Sequence, residues 1–283
     1  MAQPPAARLI LSDLVADLHA AGQLRTWSVI VSVFGDTALT RGSRMPASVL
    51  GQILAPLGIE PGAMRTALSR LAKDGWIESE RSGRTSTYKL TAPALSESGV
   101  ASQAIYGRTR PVTEASPRLM LWPENRDIPV DARLIPLRRG AGLWLGGEIP
   151  AALLSGALMA AEISDPIPDW VQAVVASPEL ADQIHELMTC FQPLRDLMQG
   201  SPTLLPVEAV AARVALTHAW RRIALRVPRV PNDFLPEHWP EPACRRFVLD
   251  LHKDLSALAD PWLDAYLKGM PDEATPNVSQ KLS

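Results

Sequence analysis

The chain is poor in cysteine: Cys190 and Cys244 are its only two in 283 residues. Two thiols exclude a disulfide framework and a cysteine-rich zinc module. Long apolar runs are missing as well. The best candidate, residues 149–161, falls short of the ~18 residues needed to span a bilayer, and Pro150 interrupts it. Asp13 and Asp17 break the apolar stretch near the N-terminus, which therefore does not read as a signal peptide. A soluble cytoplasmic protein with no membrane partner is the expectation. His19, His185, His218, His238 and His252 show no His-Glu-x-x-His spacing, so no metal site is predicted. Gly140, Gly142, Gly146 and Gly147 cluster without forming a dinucleotide fingerprint or a phosphate-binding loop. A turn leading into a strand explains them. A Gly-x-Ser-x-Gly elbow is absent. No catalytic residue and no cofactor is expected, and the chain does not read as an enzyme. Charge of one sign is missing too: 28 Lys and Arg against 30 Asp and Glu leave −2. That sum argues at first against a nucleic-acid partner, which usually meets a basic footprint.

What is present is ordinary globular chemistry, with 47% hydrophobic and 20% charged residues. The length suggests two domains or three small ones. Proline is the exception. The chain has 26, close to double the usual ~5%, so short elements with many breaks are predicted.

Leu11, Leu14, Val15 and Leu18 recur at helical spacing and predict an amphipathic helix over residues 6–21, ended by Gly22. A second apolar segment runs from Trp27 to Phe34, and a basic loop, Arg41 to Arg44, follows. Residues 46–91 carry the strongest pattern. Pro46 suits a helix start, and Val49, Leu50, Ile53, Leu54 and Leu57 form one apolar face. Gly58 to Glu60 reads as a tight turn and Pro61 as the start of another helix, which Gly75 ends. Residues 76–80 alternate like a strand, 81–84 form a turn, and 85–90 form a second strand. Helix, helix, turn, helix and hairpin in that order is a winged helix-turn-helix.

The helix at 61–74 divides as a DNA-reading helix must. At ~100° per residue, Met64, Leu68 and Leu71 share a narrow arc. Arg65, Thr66, Ser69 and Lys73 fall opposite, with Arg70 at the flank. Arginine bonds guanine bidentately, and Ser or Thr reach bases or phosphates. Arg65, Thr66 and Ser69 are therefore the base-edge candidates, and Arg70 and Lys73 the phosphate candidates. Arg81 and Arg84 flank the hairpin turn, the candidate wing, and Arg44 adds a further cation to the DNA-binding set. Charge divides with the pattern: residues 1–92 sum to +3 and the remainder to −5. The whole-chain sum is thus the wrong unit for judging a nucleic-acid partner.

Beyond this region, residues 92–117 are rich in Ser, Pro and Thr and predict a linker or poorly ordered connection. Strands are expected near Leu119–Trp122 and Leu143–Leu145, in a small α+β module. Helices are expected near 150–161, 168–176, 178–191, 206–226 and 242–268, with Pro261 kinking or restarting the last. Five prolines between Pro228 and Pro242 make that stretch an extended loop.

From Gly58 to Ile77, through Arg65, Thr66, Ser69, Arg70 and Lys73, the chain resembles the signature of PaaX-type transcriptional regulators. These control bacterial catabolism of phenylacetate and related aromatic acids. Trp27 to Asp36, ending in Phe34-Gly35-Asp36, is similar to that family's first winged-helix element. Trp220-Arg221-Arg222, then Pro228, Pro231, Phe234-Leu235-Pro236 and Trp239-Pro240, resemble its C-terminal motif. Glu241 departs from the pattern, standing where the family commonly has glycine. The resemblance implies a mainly α fold with α+β parts in three sections. Residues 1–92 would be a winged-helix DNA-binding domain. Residues 93–150 would hold a linker and a small central ferredoxin-like, Cas2-like dimerisation module. Residues 151–283 would form a helical C-terminal domain that senses an effector. It further implies a homodimeric repressor on a palindromic double-stranded operator, released by an aryl-CoA thioester such as phenylacetyl-CoA.

Such a thioester needs cations for its phosphates and an apolar slot for its acyl group. Trp220, Arg221, Arg222, Arg226, His238 and Trp239 are the effector candidates, against the alternative that the tryptophans are core and the cations merely solvated. Two other functions compete. A metal-dependent nuclease on the Cas2-like module would need converging carboxylates, for which Glu124, Asp127 and Asp131 are nearby. An effector-independent DNA-binding protein would need no sensor at all.

Overall fold

A computed structural model describes residues 5–38, 44–82, 85–110, 117–129, 131, 133–154, 157–162, 167–200 and 204–267. The fold is mainly helical with two small antiparallel sheets. It forms two compact units, neither of them one continuous stretch of chain.

The first unit combines residues 1–106, 187–225 and 246–283. It opens with α1 (Pro5–Ala20) and α2 (Thr26–Val33), and a π-helical turn (Phe34–Ala38) continues α2. Then come β1 (Arg44–Pro46), α3 (Ala47–Leu54), α4 (Pro61–Lys73), β2 (Ile77–Ser82), β3 (Thr85–Leu90) and α5 (Ala92–Tyr106). Two glycines shape the predicted turns. Gly58, at φ +68°, turns the chain between α3 and α4, and Gly75, at φ +75°, follows α4. A Cβ at Gly58 would also come within 3.3 Å of His19 Nε2, which bonds the Leu57 carbonyl at 2.8 Å. The sheet order is β1-β3-β2. β2 and β3 pair from Ile77 opposite Leu90 to Ser82 opposite Thr85, the predicted hairpin. β1 is an addition to it: Arg44, expected in a loop, pairs opposite Lys89.

The same unit takes α9 (Pro206–Ala224) as part of its core. Every side chain from Ala209 to Trp220 is buried, and the helix packs on α2, α3 and α5. A helix buried all round has no solvent face to impose periodicity on its sequence. Its small residues, Ala209, Ala211, Ala212, Ala215 and Ala219, let neighbouring elements approach closely.

The second unit combines residues 107–186 and 226–245. Its sheet runs β5 (Leu134–Arg138), β6 (Ala141–Trp144), β4 (Arg118–Leu121), β7 (Leu158–Glu162). Met120, Trp144, Ile149 and Leu153 form its small core. α6 (Ala151–Leu154) and α7 (Asp169–Val175) complete it, with segments of α8 (Pro178–Gln199) and α10 (Glu241–Leu267). Arg110 clamps the proline-rich loop, donating to the Pro228 and Val230 carbonyls at 2.6 Å and to Asn232 Oδ1 at 2.9 Å. Glu241 is buried and accepts from Arg245 Nε at 2.6 Å. The departure from the family's glycine thus brings its own partner.

Four expectations need correction. The linker predicted over 92–117 is helical from 92 to 106. Thr91 starts that helix, its carbonyl and hydroxyl accepting from Leu95 and Ala94, and burial of Ala104 and Ile105 outweighs the Ser/Gly composition. The helix predicted over 150–161 is confined to 151–154, and 158–162 is a strand because it pairs with β4. The helix predicted over 178–191 extends through Pro193 to Gln199. At Pro261, where a kink or a restart is expected, the restart does not occur: α10 continues to Leu267, with Leu263 and Leu267 buried beyond the proline.

Candidate nucleic-acid interface

α4 stands between a packed face and an open one. Ala67, Leu68 and Leu71 are buried and Met64 is half-buried, while Arg65, Thr66, Ser69, Arg70 and Lys73 are exposed. Pro61 at the first turn needs no amide partner, which suits an uncapped helix start. The Thr66 hydroxyl donates to the Gly62 carbonyl at 3.1 Å, leaving its lone pairs outward. Arg70 is held from two sides: its guanidinium carbon lies 5.6 Å from the Trp27 ring centre, and its Nε lies 3.6 Å from Asp74.

The hairpin beside α4 is less free than its composition implied. Arg44 pairs opposite Lys89, Lys89 opposite Glu78, and Glu80 lies two residues on, so all four share one sheet face. Arg44 meets Glu80 at 3.2 Å, and Lys89 meets Glu80 at 2.8 Å and Glu78 at 3.6 Å. The Lys89 hydrogen bond, aided by the Arg44 and Lys89 charges, holds the Glu80 carboxyl below its usual range. Arg81 is exposed on β2, and Arg84 lies outside the described residues.

Sequence reasoning missed the most constrained polar group in this unit, Asp36. Its side chain is fully buried. Arg213 Nε donates to one carboxylate oxygen at 2.8 Å. The Thr217 hydroxyl donates to the other at 3.1 Å, the Tyr106 hydroxyl at 3.3 Å, and His252 Nε2 meets it at 2.8 Å. Arg213 also bonds Asp260 at 2.7 Å and Ser256 at 3.0 Å. Burial alone would raise the Asp36 pKa, but Arg213 and His252 outweigh it and hold the carboxyl well below the usual range. A further bridge joins α2 to α9 through His218, whose ring nitrogens meet Ser32 Oγ and the Gln23 carbonyl at 2.9 Å. Burial lowers that imidazole to about 4, so it is neutral near pH 7.

The effector candidates fall in both units. In the first, Trp220 is fully buried and donates to the Ile105 carbonyl at 2.9 Å, which gives it a core role. Arg221 is half-buried against Ser28 Oγ at 3.1 Å, and Arg222 is exposed. In the second, Arg226 is exposed with Gln183 at 2.7 Å, His238 is exposed, and Trp239 is buried, its indole N–H without a hydrogen-bond partner among the described residues.

The second unit also holds a cavity of about 420 Å³. Arg126, Arg138 and Arg139 line it with Glu124, Asp127 and Asp131. Asp131 is tied to Arg133, whose hydrogen bonds lower it to about 2. Among the described residues, no group of three His, Cys, Asp or Glu side chains is placed to hold a metal ion. The three carboxylates considered for a nuclease therefore do not form a metal centre.

α4 thus presents an exposed face of cations and hydroxyls, backed by an apolar core and flanked by a hairpin. Comparison with known proteins gives the particular family. Residues 25–94 match the family described as PaaX-like protein, and residues 176–265 match the PaaX-like protein C-terminal domain. The chain belongs to the PaaX-like family. It is similar to the transcriptional repressor PaaX of Escherichia coli (strain K12), at 25% identity over 260 residues covering 82% of this chain and 81% of that protein. Among the described residues, no helix is long and apolar enough to cross a membrane.

Proposed function

We propose that this protein is a DNA-binding transcriptional repressor that acts through a winged helix-turn-helix. The carrying observation is α4, which buries Ala67, Leu68 and Leu71 while presenting Arg65, Thr66, Ser69 and Lys73 to solvent. In this reading α4 enters the major groove of an operator. Arg65, Thr66 and Ser69 read base edges, Arg70 and Lys73 grip phosphates, and β2–β3 is the wing carrying Arg81 and Arg84. The similar Escherichia coli protein is a repressor by name, which supports the same role here.

The operon is one for aromatic-acid catabolism of the phenylacetate kind, and an aryl-CoA thioester relieves repression. The effector candidates with exposed or half-buried polar groups are Arg221 and Arg222 in the first unit, and Arg226 and His238 in the second. Trp239, in the second unit, is the aromatic candidate. The protein acts as a homodimer on a palindromic site, with the second unit's sheet as the dimerisation module. The sheet order β5-β6-β4-β7 supports a ferredoxin-like reading, with the first and third strands central. The helix that such a module carries between its first two strands is absent among the described residues of 122–133.

Gel shifts with the DNA upstream of the protein's own coding sequence test the proposal. Selective retardation persisting as salt rises, and reversed by an aryl-CoA thioester, is expected. Equal binding to random duplex at every salt concentration would sink it.

A further inference from the structure

We infer that Trp27 is a positioning residue for phosphate contact, its ring holding the Arg70 guanidinium in place before nucleic acid arrives. The inference rests on the DNA-binding reading above. It starts from an oddity of exposure. Trp27 is one of eight large hydrophobic side chains exposed among the described residues, at 37%, on a helix that buries Val29, Ile30 and Val33. Its ring lies beneath Arg70, 5.6 Å from the guanidinium carbon, and the two belong to helices packed together, α2 and α4. A cation attracted to a ring face keeps the N–H donors at its edge available. A carboxylate partner, by contrast, consumes them.

Asp74, at 3.6 Å from Nε, occupies one side of Arg70, yet the side chain remains 65% exposed. An unrestrained arginine would lose rotamer freedom on gripping a phosphate. Trp27 and Asp74 remove much of that freedom in the free protein. When a phosphate replaces Asp74, the ring contact persists and the guanidinium does not have to be found again. Position decides what Arg70 touches. On α4 it sits at the flank that meets α2, away from the outward midline of Ser69 and Lys73, and so beside the backbone rather than over base edges.

The test uses the full chain, with a duplex from its own upstream region and a random duplex of equal length. Trp27→Leu keeps apolar bulk without the ring face, and Trp27→Phe keeps a ring. An exposed ring–cation contact corresponds to a loss of about two- to five-fold in affinity. Trp27→Leu is expected to show that loss on both duplexes, and Trp27→Phe to recover most of it. Arg70→Ala is expected to lower the slope of log affinity against log salt by about one. Trp27→Leu added to Arg70→Ala should weaken binding no further. Additive losses, or a Trp27→Phe variant as weak as Trp27→Leu, overturn the inference. Should Trp27→Leu fail to fold, Arg70→Lys carries the test: it keeps the charge but forfeits the planar stack. A two- to five-fold loss at an unchanged salt slope supports the inference, and unchanged affinity overturns it. Wild-type protein that binds no duplex selectively would instead remove the DNA-binding reading itself.

Discussion

Arg213 donates its Nε to the carboxylate of Asp36 across 2.8 Å, with both side chains buried and 177 positions apart in sequence. Asp36 follows α2 and Arg213 stands on α9, so one ion pair joins the N-terminal family segment to the C-terminal one. α2 also packs on α4. The helix that leads into this buried ion pair is thus also the one that supports α4.

Breaking one side of that junction should be costly. Asp36→Asn leaves Arg213 buried with Asp260 as its one carboxylate partner among the described residues. A loss of about 3–5 kcal/mol in unfolding free energy is expected. Arg213→Met should cost a similar amount because it leaves the Asp36 carboxylate without its arginine. The double variant should lose clearly less than the sum, since neither orphaned charge remains. Urea titrations of the four proteins measure this, and simple additivity would show that the pair does not act as a unit.

His218 gives the protein a separate acid sensitivity. Its folded pKa of about 4 lies below the ordinary 6.5, so the unfolded chain takes up the proton first. The stability linked to this group is fully present above pH 6.5 and drains away as pH falls towards about 4. The total is on the order of 3 kcal/mol. Asp36, with its depressed carboxyl, also loses stability on acidification, but in the lower range where unfolded carboxylates titrate. His218→Asn should flatten the stability profile between pH 6.5 and 4 specifically. An unchanged profile would mean that the imidazole is not held neutral.

The legible parts of this protein were those with local periodicity. The helix at 61–73, its apolar stripe, the glycine after it and the hairpin beyond all follow from short-range rules, and so do its outward cations. The Asp36 junction has no such signal. Phe34-Gly35-Asp36 was visible as a motif, but its arginine, histidine, threonine and tyrosine partners come from three distant helices. α9 was legible as a helix but not as the core of the N-terminal unit, because a helix buried on all sides carries no amphipathic signature. β7 was hidden for the opposite reason: Ala160, Ala161 and Met159 favour helix locally, and pairing with β4 overrides them. Trp220, beside two arginines, reads in sequence either as an effector candidate or as a core residue. Its indole N–H satisfies the Ile105 carbonyl, and no local pattern announces that partner.

Glu80 restrains the hairpin's cations, and its removal should therefore strengthen DNA binding. Its carboxylate sits between Arg44 and Lys89, and the Lys89 hydrogen bond leads in keeping it ionised. Glu80→Gln removes the charge while preserving shape. Affinity for random duplex at low salt should rise several-fold, and the salt slope should steepen by about one to two as phosphates engage the released cations. The gain should vanish when Arg44→Ala and Lys89→Ala are added. A Glu80→Gln protein with unaltered affinity and slope would place the β1–β3 face away from the nucleic acid.

α4 itself separates three kinds of loss by position alone. Leu68 is 2% exposed, and Leu68→Ala should cost about 2–5 kcal/mol of stability through lost burial and a residual cavity. Arg65 is exposed on the first turns, and Arg65→Ala should leave stability within about 0.5 kcal/mol of wild type. Its effect should fall on operator discrimination, at about 1–3 kcal/mol for a bidentate base contact. Lys73, on the outward face near the helix end, should weaken binding to every sequence alike when replaced by alanine, and lower the salt slope by about one. Thermal melts and competition gel shifts on the same three proteins measure both quantities. If Arg65→Ala lost operator and random duplex equally, Arg65 would be a phosphate contact. Sequence reading would then pass to Thr66 and Ser69, the other base-edge candidates of that face.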